Sequence, residues 1–251
     1  MGERGIWVYA VLGAGPVALD AVSGVAGETP RVLESAGLLA VVGDVPLNVF
    51  GEEALRRNFE DLDWLGRVAR AHDAVVGTAL AAGPVVPIRL ATVYRDDERV
   101  REMVRRRAPD FQQALDRLGK RTEWGVKVFL EPRPGHGVAE DARGTGRAYL
   151  ARRRAALAAR EKHDQRAAEQ AGRVHSRLSA LAVDTRTHPP QSRALAAENG
   201  RMILNATYLV DDESAPAFHE AVADCDRGND AIRAQLTGPW PPYSFTSLEE
   251  I

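Results

Sequence analysis

The segment EPRPGHGVAEDARGTG, residues 131–146, is the feature that most constrains the fold of this chain. It combines proline, glycine and charged side chains, a composition typical of a connection between domains. The 251 residues are therefore expected to form two domains, 1–131 and 147–251, joined by a linker over 132–146. Hydrophobic residues make up 45% of the chain and charged residues 27%, so each half has enough apolar material for its own core.

The N-terminal half alternates strand-like and helix-like segments. Its first helix carries apolar residues at steps of three or four, the helical period: Leu55, Phe59, Leu62, Leu65, Ala69, His72, Val76 and Leu80. A second helix is predicted over 96–119. Strands are predicted at IWVYAVL (6–12), GLLAVVGDV (37–45), PVVPIRLATVY (84–94) and TEWGVKVFL (122–130). The order β-β-α-β-α-β predicts an α+β domain with a ferredoxin-like arrangement and altered connections.

The C-terminal half has the same mixed character. An Ala/Arg-rich helix is predicted over 147–182, a strand over 201–210, and a second helix from the acidic cap at Asp211 to about Leu236. The chain then ends in a stiff segment rich in proline and aromatic residues, TGPWPPYSF (237–245). These elements predict a second α+β domain, and we expect the aromatic segment to fold back onto its own domain or to contact a partner.

The sequence contains no recognisable catalytic, cofactor-binding or metal-binding motif. It has no glycine-rich phosphate loop, and no two histidines have the spacing of a helical zinc site. His72 lies on the apolar stripe and is expected in the core. The single cysteine, Cys225, cannot form an internal disulfide, and the N-terminus does not resemble a signal peptide. We therefore expect a cytoplasmic protein that is not an enzyme.

Basic residues concentrate in one region, 143–177, which holds ten positive and three negative side chains. A solvated structural helix, a protein contact, or a nucleic-acid or lipid contact would each fit this pattern. The net charge of the whole chain is −2, so it has no overall attraction to nucleic acid or anionic lipid, and neither partner is expected.

Several segments together resemble the gas vesicle accessory proteins GvpF and GvpL. They are VPLNVFGEEAL (45–55), LDWLGRVARAHDAVV (62–76), GPVVPIRLATVYRD (83–96), EWGVKVFL (123–130), GRAYLARRR (146–154), NATYLVDDE (205–213) and GPWPPYSF (238–245). The resemblance implies a ferredoxin-like N-terminal domain followed by an α/β domain. It also implies a non-enzymatic role in gas vesicle assembly, with binding to the hydrophobic main shell protein GvpA and to other accessory proteins, and it places the chain on gas vesicles.

Partner-contacting residues are predicted in two places. A shell subunit exposes apolar surface and strand edges, which an accessory protein can cover by strand addition or helix docking. Pro87 indicates that the strand at 84–94 is an edge strand or contains a bulge, and this strand is the first place. The aromatic segment is the second. The predicted contact residues are Val85, Val86, Ile88, Arg89, Tyr94, Trp240, Tyr243 and Phe245. A ligand-binding protein or enzyme on a ferredoxin-like fold, and an RNA-binding protein that uses the basic helix, remain alternatives.

Overall fold

The computed structural model describes residues 3–130, 146–189, 201–227 and 232–246, so the predicted linker lies almost wholly outside the described residues. The chain divides into an N-terminal unit, Met1–Glu123 with Pro239–Ile251, and a C-terminal unit, Trp124–Gly238. The predicted α+β class with two parts is confirmed. The boundaries between these units fall after Glu123 and after Gly238, and each lies inside a strand.

The N-terminal unit contains an antiparallel sheet with β1 at its centre. Its strands are β1 (Arg4–Gly13), β2 (Arg31–Ser35), β3 (Leu38–Pro46), β4 (Val85–Pro87) and β5 (Val93–Tyr94). The strand order is β2-β3-β1-β4, and β5 also pairs with β1. Every residue of β1 from Gly5 to Leu12 is buried, which explains the uninterrupted apolar run in its sequence.

Five helices accompany this sheet: α1 (Leu47–Phe50), α2 (Glu52–Asn58), α3 (Leu62–Leu80), α4 (Asp97–Arg106) and α5 (Ala108–Leu118). The two long helices predicted from the sequence are therefore each interrupted. The first is interrupted before α3, where the Asp61 carboxylate caps the new helix by accepting from the N–H groups of Asp63 at 3.0 Å and Trp64 at 3.1 Å. The second is interrupted at Arg107, next to a proline in the first turn of α5.

The hairpin between β2 and β3 contains a conformational strain that one substitution should relieve. Its two turn residues, Ala36 and Gly37, have φ values of 52° and 74°, the left-handed conformation of a type I′ turn. Ala36→Asn is expected to raise the free energy of unfolding by roughly 0.5–1 kcal/mol, because asparagine tolerates this conformation better than alanine. Urea denaturation would measure the change. Ala36→Val is the opposing control, and an Ala36→Asn protein no more stable than wild type would contradict the assignment.

The C-terminal unit is built on a second sheet. Its elements are α6 (Gly146–Ser179), β7 (Asp184–Thr187), β8 (Arg201–Asp211), α7 (Ala215–Arg227) and β9 (Ile232–Trp240), together with β6 (Arg121–Leu130). The strand order is β7-β8-β6-β9. Apolar side chains of α6, β8 and α7, among them Leu178, Tyr208 and Phe218, share one core.

Two predictions for this half of the chain were wrong. The strand at 122–130 was expected to close the N-terminal sheet, but β6 lies inside the second sheet. The alternating pattern shows that these residues form a strand, but it does not specify the neighbouring strand. The last helix was expected to reach Leu236, but α7 ends at Arg227 and residues from Ile232 onward form β9. The short sequence IRAQL fits either period, and pairing with a neighbouring strand decides in favour of β structure.

Candidate partner-binding surface

The strand predicted to contact a partner lies in the core. Val85, Val86 and Ile88 are each 0% exposed, and Pro87 is also buried. β4 occupies an edge position in the strand order, as the proline suggested. However, its three residues are all buried, so strand addition at β4 would require the surrounding structure to move. Among the residues predicted for this strand, Arg89 is exposed and Tyr94 is partly buried.

The opposite edge of the sheet is more accessible. Val32 on β2 is 42% exposed, and Glu34 on the same strand is also exposed. On the other face of β2 the buried Ser35 donates its hydroxyl to the carbonyl of Arg101 in α4 at 3.0 Å. Arg31 at the start of β2 forms ion pairs with Asp44 at 3.2 Å and Asp97 at 2.7 Å. A short edge strand that carries charged residues, here Arg31 and Glu34, resists unwanted pairing.

The aromatic segment at the C-terminus is anchored on the N-terminal unit. Phe245 is 2% exposed, and the two prolines before the 3-10 turn Tyr243–Phe245 are buried. The buried carboxylate of Glu123 accepts from the Ser244 N–H at 3.0 Å and from the Ser244 hydroxyl at 2.6 Å. Burial raises the pKa of Glu123, and the two bonds from Ser244 oppose that shift.

Trp240 and Tyr243 remain accessible on this anchored segment, at 42% and 37% exposure. Tyr243 is nevertheless fixed, since its hydroxyl hydrogen-bonds to the Asp73 carboxylate and its ring lies 6.4 Å from the ring of His72. Burial of the hydroxyl and the neighbouring carboxylate raise the pKa of Tyr243. Of the three aromatic residues predicted to contact a partner, Phe245 is therefore a buried anchor, and Trp240 and Tyr243 remain accessible.

His72 is the core histidine that the apolar stripe predicted. It is 3% exposed, and its Nδ1 accepts a hydrogen bond from Trp7 Nε1 at 2.9 Å. Because an indole N–H only donates, Nδ1 carries no proton, and Nε2 donates to the carbonyl of Ile88 at 3.1 Å. Burial lowers the pKa of His72 to about 4, while the bond to Ile88 acts in the opposite direction. The imidazole is neutral and has a structural role.

Sequence reasoning missed a second accessible apolar surface, which we call the acidic turn, residues 59–63. Phe59 is 38% exposed and Leu62 is 79% exposed, and the three residues Glu60, Asp61 and Asp63 are exposed as well. The Phe59 ring packs on Trp64 with centroids 6.1 Å apart, which ties the turn to the body of the unit. The stripe that predicted burial of Phe59 and Leu62 assumed one continuous helix, and the break before α3 turns them outward.

The basic region is confirmed as helical and is accessible over much of its length. Every described side chain from 153 to 166 in α6 is exposed, and the buried positions begin at Ala167. We call residues 153–166 the basic arm. Leu157, with Arg153 four residues and Arg154 three residues before it, is 53% exposed.

The residues described by the structure contain no group of three His, Cys, Asp or Glu side chains that could hold a metal ion. Over the same residues, no helix is both long enough and apolar enough to cross a bilayer. The accessible features described above are apolar side chains and charged helix surface. Such a surface on a two-unit α+β protein is suited to macromolecular contacts.

The chain belongs to the family of gas vesicle synthesis proteins GvpL/GvpF, which it matches over residues 5–247. It is 41% identical to gas vesicle protein L of Streptomyces sp. strain CB03234 over 236 residues. This alignment covers 92% of this chain and 88% of that protein. It is 28% identical over 259 residues to gas vesicle protein F of the same strain, covering 95% of this chain and 98% of that protein.

Two solved structures share the fold. The crystal structure of gas vesicle protein GvpF from Anabaena sp. PCC7120 matches with a TM-score of 0.72 at 16% identity, over 98% of each chain. That of GvpF from Microcystis aeruginosa matches with a TM-score of 0.67 at 18% identity, over 97% of this chain and 99% of the other. These matches show that the chain shares the α+β fold of known GvpF structures. The family match over residues 5–247 confirms the resemblance seen in the sequence.

Proposed function

We propose that this protein is a non-enzymatic accessory factor that binds the hydrophobic main shell protein GvpA, and other accessory proteins, during nucleation or growth of gas vesicles in the cytoplasm. Membership in the GvpL/GvpF family supports the link to gas vesicles. The observation that carries the binding role is the pair Trp240 and Tyr243, which stay accessible on a segment whose neighbour Phe245 is buried.

An aromatic pair held in this way suits an apolar partner. Tryptophan and tyrosine offer large contact areas with few rotatable bonds, and they are enriched among residues that dominate binding energy. Three prolines around Trp240 restrict the segment, and the bond from Tyr243 to Asp73 fixes its ring. Little further ordering is then needed when a partner binds, which favours affinity. An exposed apolar segment of a shell subunit is the expected ligand.

The buried titratable groups of the N-terminal unit support a role other than catalysis. His72 is held neutral between Trp7 and Ile88, and Glu123 binds Ser244. The Tyr9 hydroxyl accepts from the N–H of Val25 at 2.9 Å and is also bonded to the carboxylate of Glu28. Each of these groups has a hydrogen-bond partner within the fold, which supports a structural role for it.

Capture of shell protein tests the proposal. GvpA would be co-expressed with this chain, and soluble GvpA bound to the affinity-purified chain would be quantified. The wild-type chain is expected to hold GvpA in solution. Trp240→Ser is expected to reduce the captured amount at least about tenfold, because a central aromatic contact is commonly worth more than 1.4 kcal/mol of binding free energy.

Val32→Ser is the matched control, since Val32 has the same 42% exposure as Trp240 but lies on β2. It should leave capture unchanged, and both variants should keep the wild-type melting temperature within a few degrees. Failure of the folded wild-type chain to capture GvpA would refute direct shell binding. Equal capture by Trp240→Ser and wild type would retain the function and exclude the aromatic pair as its site.

A further inference from the structure

The two large apolar side chains with the greatest exposure in the described part of the chain lie in settings of opposite charge. Leu62, at 79% exposure, is flanked in the acidic turn by Asp61 and Asp63. Leu157, at 53% exposure, lies in the basic arm beside Arg153 and Arg154. An exposed leucine flanked by carboxylates and an exposed leucine flanked by guanidinium groups are complementary in both polarity and charge.

The charges of the whole chain have the same asymmetry. Helix α6, Gly146–Ser179, carries nine basic and three acidic residues, a net charge of +6. Since the whole chain has a net charge of −2, the remainder carries −8. The part of a second copy outside α6 is therefore an acidic partner for the basic arm. Leu62 in the acidic turn is the most exposed large apolar side chain among the described residues. Long-range attraction between the basic arm of one copy and the acidic remainder of another would steer the two copies together.

Each surface is suited to a defined contact. In a helix, residues three and four apart lie side by side, so Arg153, Arg154 and Leu157 share one surface. From Ala167 onward α6 has buried positions within its own unit, at Ala167, Ala171, Val174 and Leu178, whereas the described side chains of the arm are uncovered. In the acidic turn, Phe59 packs on Trp64, and Trp64 lies 5.7 Å from the ring of the buried Phe50. The turn is thus held by core contacts.

We propose that copies of this protein associate head to tail, with the basic arm of one copy docked on the acidic turn of the next. Leu157 contacts Leu62 and Phe59, and the arginines pair with Glu60 and Asp63. The contact joins two different surfaces, so each added copy leaves one arm and one turn free, and an open chain of copies can grow. Its small apolar area predicts a weak, salt-sensitive interaction.

Reciprocal charge reversal gives a sharp test. In the turn variant, Glu60→Arg and Asp63→Arg make both surfaces basic, and Asp61 is kept because it caps α3. In the arm variant, Arg153→Glu and Arg154→Glu make both surfaces acidic. Each variant alone should associate at least about tenfold more weakly than wild type, because like charges then face each other. An equimolar mixture should recover association, since each surface again meets its opposite.

Sedimentation velocity of the full chain, from micromolar to submillimolar concentration, measures the outcome. The wild-type mass should rise above 27.3 kDa with concentration. It should return towards the monomer when salt is raised from about 50 mM to about 500 mM. Circular dichroism spectra must show that both variants are folded. A wild-type chain that remains monomeric throughout would overturn the proposal, as would folded variants that associate like wild type or a mixture that stays monomeric. These results do not depend on GvpA binding, so they separate this proposal from the accessory function.

Discussion

Replacing Phe245 with alanine is expected to lower the free energy of unfolding of the N-terminal unit by about 3–5 kcal/mol, the usual cost of removing a buried phenylalanine ring. Phe245 is 2% exposed and is the apolar anchor of a segment that also binds Glu123 through Ser244. Loss of the ring leaves a cavity and weakens the position of the whole segment. This change should therefore destabilise a unit composed almost entirely of residues more than 120 positions earlier in the chain.

Hydrogen exchange at the β1 amides measures this effect, because these amides report opening of the N-terminal unit alone. Leu62→Ala is the matched control, an apolar truncation in the same unit at a side chain that is 79% exposed. It should change the free energy of opening by less than about 0.5 kcal/mol. Equal protection of β1 in wild type and Phe245→Ala would show that the C-terminal segment does not contribute to the stability of this unit.

The second large effect is a loss of stability in mild acid that originates at His72. Burial lowers the pKa of this histidine from 6.5 to about 4. The unfolded chain therefore binds a proton at a higher pH than the folded chain. Neutral His72 therefore contributes stability that is fully present above pH 6.5. This contribution to the free energy of unfolding falls by about 3 kcal/mol in total as the pH falls towards 4. Protonation of Nδ1 would also set an N–H against the indole N–H of Trp7.

In the same unit, protonation of other groups stabilises the folded state as the pH falls. A variant is therefore needed to isolate the effect of His72. Burial raises the pKa values of Asp73 and Glu123, and their protonation in the folded state offsets part of the acid effect. Urea denaturation of wild type and His72→Gln across pH 4–7 separates the contributions. The difference in unfolding free energy between the two proteins should shrink by about 3 kcal/mol towards pH 4. A pH-independent difference between wild type and His72→Gln would contradict this assignment.

The helices show how far the sequence can determine this fold. Apolar spacing correctly placed His72 and Val76 on the buried side of α3, because core contacts there follow the helical period. The same spacing placed Phe59 and Leu62 in the core as well, and both are exposed. The spacing identifies residues that share a face only while the helix continues. The cap at Asp61, which was recognisable as an acidic residue before an apolar run, was the signal that the helix restarts.

The strands show what local sequence cannot provide. The apolar run around Val85 and Val86 fits a buried strand as well as an exposed edge, and both side chains are fully buried. β6 was identified as a strand, but its neighbours β8 and β9 are distant in sequence, and pairing over such separations leaves no local pattern. Of the residues predicted to meet a partner, Arg89, Trp240 and Tyr243 are exposed, and the acidic turn was found only in the folded structure.

The return of the last residues to the first unit has a consequence for biosynthesis. The N-terminal unit combines Met1–Glu123 with the segment that carries Phe245, and the whole of the C-terminal unit lies between them in the chain. β1 to α5 therefore leave the ribosome before Ser244 and Phe245 are made. The first unit lacks its Phe245 anchor until more than 120 further residues have been added. A chain cut short before Phe245 lacks this anchor even though its N-terminal sequence is intact, and it is expected to be more open to proteolysis than the full chain.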